Sequence, residues 1–236
     1  MQNKRRGASP KRSNIRRKKK KRILWGRVFA LLAAFCLIVA AAGVFVYSCW
    51  EKKNSTFPEE VLAHRPMVEE YAEAYGISEY NDWLMAILAV ESGGIGDDVM
   101  QSSESLGKKP NSLGTEESIE QGCSYFKELL GISEGKNVDF DSILQAYNYG
   151  PGYLDYVAKN GGKHSQALAE AYALEKSGGV KEVYPNPVAI KANGGWRYKY
   201  GNMFYVPLVK LYEAGEFWAL EEDEAEELEE TEEEEA

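Results

Sequence analysis

The chain has 236 residues, a formal net charge of −9 at pH 7, three cysteines and two histidines. This length allows one domain with a substantial core plus flanking segments. The three cysteines exclude a disulfide framework, and the two histidines lack the spacing of metal ligands, so we expect no zinc site.

The first 50 residues divide into a basic arm and an apolar run. Residues 1–27 contain thirteen Lys and Arg and no acidic residue, whereas residues 28–50 carry no charge. An uncharged run of this length can cross a hydrocarbon core of about 30 Å, and it exceeds the apolar part of a cleaved signal peptide, about 7–15 residues. We therefore predict a retained transmembrane signal anchor. The positive-inside rule leaves residues 1–27 as a cytoplasmic arm and places everything after the span outside the cell membrane.

After a linker at residues 51–57, residues 58–219 read as one mainly α-helical domain. The predicted helices are 58–75 with a kink or break at Pro66, 82–91, 115–130 ended by Gly131, 141–149, 153–159, 165–176 and 203–212. Strand signals are sparse, and residues 94–103 are the one candidate for a short ribbon. Residues 51–220 hold 15 basic and 25 acidic residues, which argues against nucleic acid as a partner. Residues 220–236 are almost entirely acidic, and we expect a disordered tail.

The stretch from Asp82 to Gly94 is the centre of this domain. Every residue from Trp83 to Val90 is apolar, which indicates a helix buried on all sides. Glu91 follows at its C-terminal end, where the helix dipole and an apolar wall both disfavour an ionised carboxylate. We therefore expect a raised pKa for Glu91, suited to a proton donor near neutral pH.

Further polar and aromatic segments follow in a definite order. Residues 91–94 read Glu-Ser-Gly-Gly, 98–105 read Asp-Val-Met-Gln-Ser-Ser-Glu-Ser, 146–150 read Ala-Tyr-Asn-Tyr-Gly, and 200–206 read Tyr-Gly-Asn-Met-Phe-Tyr-Val. Over roughly residues 58 to 213 this series resembles the lysozyme-like fold of goose-type lysozymes and soluble lytic transglycosylases. More narrowly, it is similar to the muramidase domain of Gram-positive conjugative elements and of two-domain cell-wall hydrolases.

The resemblance implies a pair of catalytic carboxylates, with Glu91 as the acid and Asp98 as the partner that stays ionised on a polar, hydrated loop. The candidate substrate-binding residues are Ser92, Gln101, Tyr147, Asn148 and Tyr200. Ser92 has the alternative role of capping the core helix. Tyr147, Tyr149 and Tyr205 are equally compatible with a place in the core.

The implied activity is hydrolysis of the β-1,4 bond between N-acetylmuramic acid and N-acetylglucosamine in peptidoglycan, with no metal or organic cofactor. The expected purpose is local opening of the wall for conjugation or secretion machinery, whose channel proteins would be partners. No Cys-His pair of the required kind follows the domain, so we expect no endopeptidase activity.

Three alternatives stay open. The substrate's own 6-hydroxyl could attack, as in a lytic transglycosylase. The domain could be a non-catalytic glycan-binding or scaffold module. Residues 105–108 and 176–178 imitate two penicillin-binding motifs, but the third is absent between them.

Overall fold

The computed structural model describes residues 29, 31–40, 43 and 57–216, which belong to two compact units, Met1–Ser48 and Cys49–Ala236. In the first unit the described residues are helical (α1), and their large apolar side chains are exposed. Within the part of the chain that is described, no helix combines the length and apolar character needed to cross a membrane. The predicted arm (1–27), much of the predicted span (28–50), residues 51–56 of the predicted linker and the tail from residue 217 lie outside the described residues.

The described part of the second unit is mainly helical. Its elements are α2 (Glu59–Leu62), α3 (Arg65–Ala74), α4 (Asn81–Ser92), α5 (Thr115–Glu134), α6 (Phe140–Tyr149), α7 (Gly152–Lys159), α8 (Gln166–Ser177), β1 (Lys181–Val183), α9 (Pro187–Asn193), β2 (Trp196–Tyr198) and α10 (Tyr205–Ala214), with 3₁₀ turns at Ser78–Tyr80 and Ser103–Leu106.

Helix α4 is the predicted core helix. All side chains from Leu84 to Ala89 are buried, and the helix packs most extensively against α10. Gly93 ends it in the left-handed conformation at φ 63°, donating its N–H to the carbonyl of Ala89. Glu91 therefore lies in the last turn of a helix whose position is set by the core.

Two helix boundaries differ from the sequence prediction. The predicted helix 58–75 is broken into α2 and α3, and Pro66 stands in the first turn of α3, where its missing N–H costs no helical hydrogen bond. Gly131 does not end α5, which continues to Glu134 with Ser133 buried. Packing of the last turn offsets the intrinsic cost of a helical glycine, about 1 kcal/mol.

The predicted ribbon at residues 94–103 is wrong. This segment forms turns, and the Asp98 side chain accepts the backbone N–H groups of Ser102 and Ser103 that a strand ladder would otherwise use. The ribbon lies instead at β1 and β2, which pair antiparallel with Lys181 opposite Tyr198 and Val183 opposite Trp196.

Helix α9 was not predicted. Pro185 and Pro187 in the sequence indicate a loop, but Pro187 occupies the first turn of the helix, where a proline is tolerated. Asn186 caps the helix by accepting the N–H of Val188 at 3.0 Å.

One contiguous hydrophobic core holds the second unit together. Its buried apolar residues run from Phe57 to Val209, so the core begins one residue before the predicted domain boundary. A chain beginning at Cys49 consequently contains every residue of this core.

Candidate active site

A cavity of about 740 Å³ opens at the C-terminal ends of α4 and α6, where the four sequence motifs meet. Its wall is formed by Glu91, Gln101, Ser102, Glu104, Ser105, Tyr125, Glu128, Tyr147, Asn148, Tyr149, Gly150, Pro151, Tyr200 and Gly201. Of the seven predicted site residues, five line this cavity, while Ser92 and Asp98 do not.

Glu91 is partly exposed to the cavity, and one of its carboxylate oxygens accepts a hydrogen bond from the hydroxyl of Tyr205 at 2.6 Å. Loss of water around the carboxyl raises the pKa of Glu91 to about 7. The Tyr205 hydrogen bond opposes this shift, and the negative charges of Asp98 and Glu104 add to it. The predicted direction of the shift agrees with the structure, and Glu91 can exist as a protonated acid near neutral pH.

Asp98 is only 2% exposed, so the expected hydrated loop is wrong. One carboxylate oxygen accepts the Ser118 hydroxyl at 2.6 Å and the Ser102 N–H at 3.0 Å, and the other accepts the N–H and hydroxyl of Ser103. Burial alone would raise the pKa of Asp98, but these hydrogen bonds outweigh it and hold the pKa below its ordinary value. The group is therefore ionised behind the cavity wall.

The Ser92 side chain forms hydrogen bonds with backbone groups at the end of α4. Its hydroxyl donates to the Val99 carbonyl at 2.7 Å and accepts the Gly94 N–H at 3.0 Å. This fastens the loop before Asp98 to the end of the helix. These contacts agree with the alternative role of Ser92, that of capping the core helix.

Gln101, Asn148 and Tyr200 line the cavity and are each fixed by a hydrogen bond. The Gln101 amide nitrogen donates to the Asp98 carbonyl at 2.9 Å, from a left-handed backbone with φ 46°. The Asn148 side-chain oxygen accepts the Asn202 N–H at 2.6 Å, which ties the end of α6 to the loop after β2. The Tyr200 hydroxyl donates to a main-chain carbonyl on the same helix end, 3.0 Å away.

The three tyrosines left undecided by the sequence fall into two groups. Tyr147 and Tyr149 are buried in the core and also form part of the cavity wall, and the Tyr147 hydroxyl donates to the Met100 carbonyl at 3.1 Å. Tyr205 lies in the core at the start of α10, and its hydroxyl contacts Glu91.

Several lining residues were missed by sequence reasoning. Glu104 stands inside the 98–105 motif, so its neighbourhood was visible but its position on the cavity wall was not. Tyr125 and Glu128 lie three residues apart on α5, and therefore on one helix face, but belong to no motif.

A family model described as Lysozyme-like matches residues 58–213. The chain is 39% identical over 157 residues to the bifunctional muramidase/DL-endopeptidase CwlT of Bacillus subtilis, covering 66% of this chain and 42% of that protein. It is 37% identical over 158 residues to the uncharacterized membrane protein YocA of the same organism, covering 64% of this chain and 68% of that one.

A solved structure from Staphylococcus aureus, described as similar to lipoprotein of the NLP/P60 family, has a TM-score of 0.65 and 59% identity. The match covers 66% of this chain and 53% of that chain. The family match spans the domain that carries the cavity, Glu91 and Asp98, and the chain therefore belongs to the lysozyme-like family.

Proposed function

We propose that this protein is a peptidoglycan hydrolase that cleaves the β-1,4 bond between N-acetylmuramic acid and N-acetylglucosamine. The observation that carries the proposal is Glu91, a carboxyl with a pKa of about 7 at the wall of a tyrosine-rich cavity. Membership of the lysozyme-like family and the muramidase named among the relatives support it.

In this reaction protonated Glu91 gives its proton to the leaving glycosidic oxygen, and positive charge develops on the sugar. Ionised Asp98 lies close enough to contribute to the raised pKa of Glu91 and would stabilise that positive charge through the wall. The neutral hydrogen-bonding side chains of Gln101 and Asn148 and the rings of Tyr147 and Tyr200 would hold the glycan strand.

A lytic transglycosylase is the second candidate, and the burial of Asp98 favours it. Both carboxylate oxygens of Asp98 already accept hydrogen bonds from the protein, and the residue does not line the cavity. A water molecule in the cavity would therefore need another base. If none acts, the 6-hydroxyl of the muramic acid attacks and an anhydro product results.

A digest of purified peptidoglycan with residues 49–236 distinguishes these reactions. New reducing N-acetylmuramic acid ends establish the muramidase. Products one water lighter, without new reducing ends, establish the transglycosylase. A folded domain that yields no product but binds glycan would be a binding module.

Glu91→Gln is the control for this digest. The amide keeps the shape of the side chain but cannot donate the required proton, so we expect product formation to fall at least about 1000-fold. Glycan binding should persist, because the cavity wall is otherwise unchanged. Full activity in this variant would remove Glu91 from the acid role.

We also propose that the domain is anchored to the outer side of the cell membrane by a single span at residues 28–50, with the basic arm in the cytoplasm. The uncharged run and the arm support this topology, as does the description of one relative as a membrane protein. Anchoring would restrict cleavage to the part of the wall next to the membrane, as local opening for a conjugation or secretion channel requires.

Protease added to intact protoplasts should remove the domain and spare the arm. Protection of the domain would contradict the topology.

A further inference from the structure

Basic residues in the second unit are concentrated in one part of the fold. We call residues 163–199, which contain α8, β1, α9 and β2, the ribbon lobe. It holds six basic and three acidic residues, whereas the other described residues, 57–162 and 200–216, hold seven basic and 21 acidic. A net positive lobe therefore projects from a strongly acidic body.

The same lobe holds most of the exposed aliphatic side chains of this unit. Six large hydrophobic residues are exposed among residues 57–216, and four of them lie in the lobe. These are Leu174 at 45% exposure, Val180 at 54%, Val183 at 83% and Ile190 at 48%. Clustered exposed apolar side chains indicate an interaction surface.

Lys181 shares one face of the ribbon with the exposed Val183 and with two aromatic side chains, of which Tyr198 is buried. Because side chains alternate along a strand, Lys181 and Val183 point to the same side, together with their cross-strand partners Tyr198 and Trp196. The Lys181 ammonium lies 3.3 Å from the centre of the Trp196 ring.

The ribbon's one acidic residue lies on the opposite face. Glu182 points away from Lys181 and is neutralised there by Arg197 at 2.8 Å. Negative charge is thus directed away from the face that carries Val183.

Neighbouring segments add further basic and aliphatic side chains to the lobe. The Lys199 N–H donates to the Val180 carbonyl at 2.8 Å, so these two residues continue the strand pairing and, by the same alternation, lie on the side of Glu182 and Arg197. Lys191 lies on α9, next to the exposed Ile190, and α9 packs against β2. Within the described part of the chain, Lys181, Lys191 and Lys199 are exposed and form no ion pair.

We propose that the ribbon lobe docks onto an anionic lipid bilayer. Lysines surrounding aliphatic side chains and a tryptophan are the composition that the headgroup region of such a membrane attracts. The acidic body is repelled by the same surface, so the charge distribution also fixes the orientation of the domain. Tyr200 and Gly201 follow β2 directly and line the cavity, so docking holds the cavity beside the bilayer.

The test is sedimentation of residues 49–236 with vesicles of phosphatidylcholine alone and with added phosphatidylglycerol. We expect binding only to the anionic vesicles. Lys181→Glu with Lys199→Glu should lower the partition coefficient at least about 25-fold, since each lysine near an anionic surface contributes about a factor of five. Lys109→Glu with Lys127→Glu changes the net charge equally outside the lobe and should have a far smaller effect.

A third variant, Val183→Asp, separates lipid binding from attraction to any polyanion. The side chain is 83% exposed, so the fold should tolerate the change, and circular dichroism checks this. Reduced vesicle binding supports insertion of the apolar residues.

Equal losses in the two lysine pairs, or no binding by the folded domain, would overturn the proposal. Binding to soluble polyglycerol phosphate that is as strong as vesicle binding and is unchanged in Val183→Asp would also overturn the proposal. Vesicle binding that appears only after residues 217–236 are removed would identify the acidic tail, and not the bilayer, as the partner of the ribbon lobe.

Discussion

At the scale of single residues, the protonation of Glu91 reflects opposing influences. Desolvation at the end of α4 raises the pKa, whereas the Tyr205 hydroxyl, 2.6 Å away, stabilises the ionised form and lowers it. Two further carboxylates, Asp98 and Glu104, add to the rise. The resulting pKa of about 7 means that a useful fraction of the molecules carry the proton at neutral pH.

The Tyr205→Phe variant tests this balance. Removing the hydroxyl takes away a hydrogen bond that favours the ionised carboxylate, so the pKa of Glu91 should rise further. A hydrogen bond to a charged group corresponds to about one pKa unit. The alkaline limb of the kcat/KM profile, near pH 7 in the parent because the acid must be protonated, should therefore move up by about one pH unit. An unmoved or lowered limb would show that this contact does not set the acid's pKa.

Asp98→Asn tests a buried charge. The amide cannot accept all the hydrogen bonds that the carboxylate receives, so we expect the free energy of unfolding to fall by about 3 kcal/mol in urea melts at pH 7. Because the folded pKa of Asp98 is lowered, the difference should be largest above pH 4 and shrink as the pH falls through that pKa. Asp97→Asn, at an exposed neighbour, is the control and should be nearly neutral. An equal loss in both variants would contradict this account.

The product assay on the same variant separates the two proposed reactions. Hydrolysis that depends on Asp98 should be lost almost completely. Transglycosylation that makes no use of Asp98 should persist in proportion to the folded fraction, because the substrate supplies its own nucleophile and no water has to be activated.

At the scale of elements, the cavity is assembled by segments that are distant in the chain. The end of α6 supplies Asn148, and the loop after β2 supplies Tyr200 and Gly201, with the two joined by the hydrogen bond from Asn202 to Asn148. Gly201 makes this approach possible, since a β-carbon there would lie 2.5 Å from the Asn148 side-chain oxygen. Its φ of 50° also disfavours other residues.

Gly201→Ala should therefore push the loop away from α6. We expect KM for peptidoglycan to rise about tenfold, the equivalent of one lost contact of about 1.4 kcal/mol, with a smaller change in kcat. Gly114→Ala is the matched control, because a β-carbon there meets nothing within 4 Å and the residue has an ordinary φ of −75°. Equal kinetics in the two variants would show that the loop position does not matter for substrate binding.

At the scale of the whole molecule, the second unit is one core with an acidic body and a basic lobe. Among the described residues, the last helix, α10, ends at Ala214, and the last buried apolar residue is Val209. The two described residues that follow the helix, Gly215 and Glu216, are not buried in this core.

Ending the chain after Glu216 should accordingly leave the midpoint of thermal unfolding within about 2 °C of the parent, since less than about 0.5 kcal/mol is expected from surface residues. Differential scanning calorimetry measures this. The activity of the domain on isolated peptidoglycan should be unchanged as well. A large drop in either quantity would mean that the tail has a structural or catalytic part.

Local patterns in the sequence were sufficient for most helices and for the chemical character of Glu91. An uninterrupted apolar run with a glycine stop favours a buried helix, and a carboxyl at its C-terminal end meets the negative end of the helix dipole beside an apolar wall. The order of the motifs was likewise enough to indicate the lysozyme-like family.

Only the tertiary structure decided which side chains meet. Burial of Asp98 depends on Ser118, twenty residues away, and the contact between Glu91 and Tyr205 joins residues 114 positions apart. The ribbon at β1 and β2 and the continuation of α5 past Gly131 also depend on packing, which outweighed weak local preferences there. Contacts between distant segments leave no periodic trace in either segment alone, and for that reason the cavity wall could be read from the chain only in part.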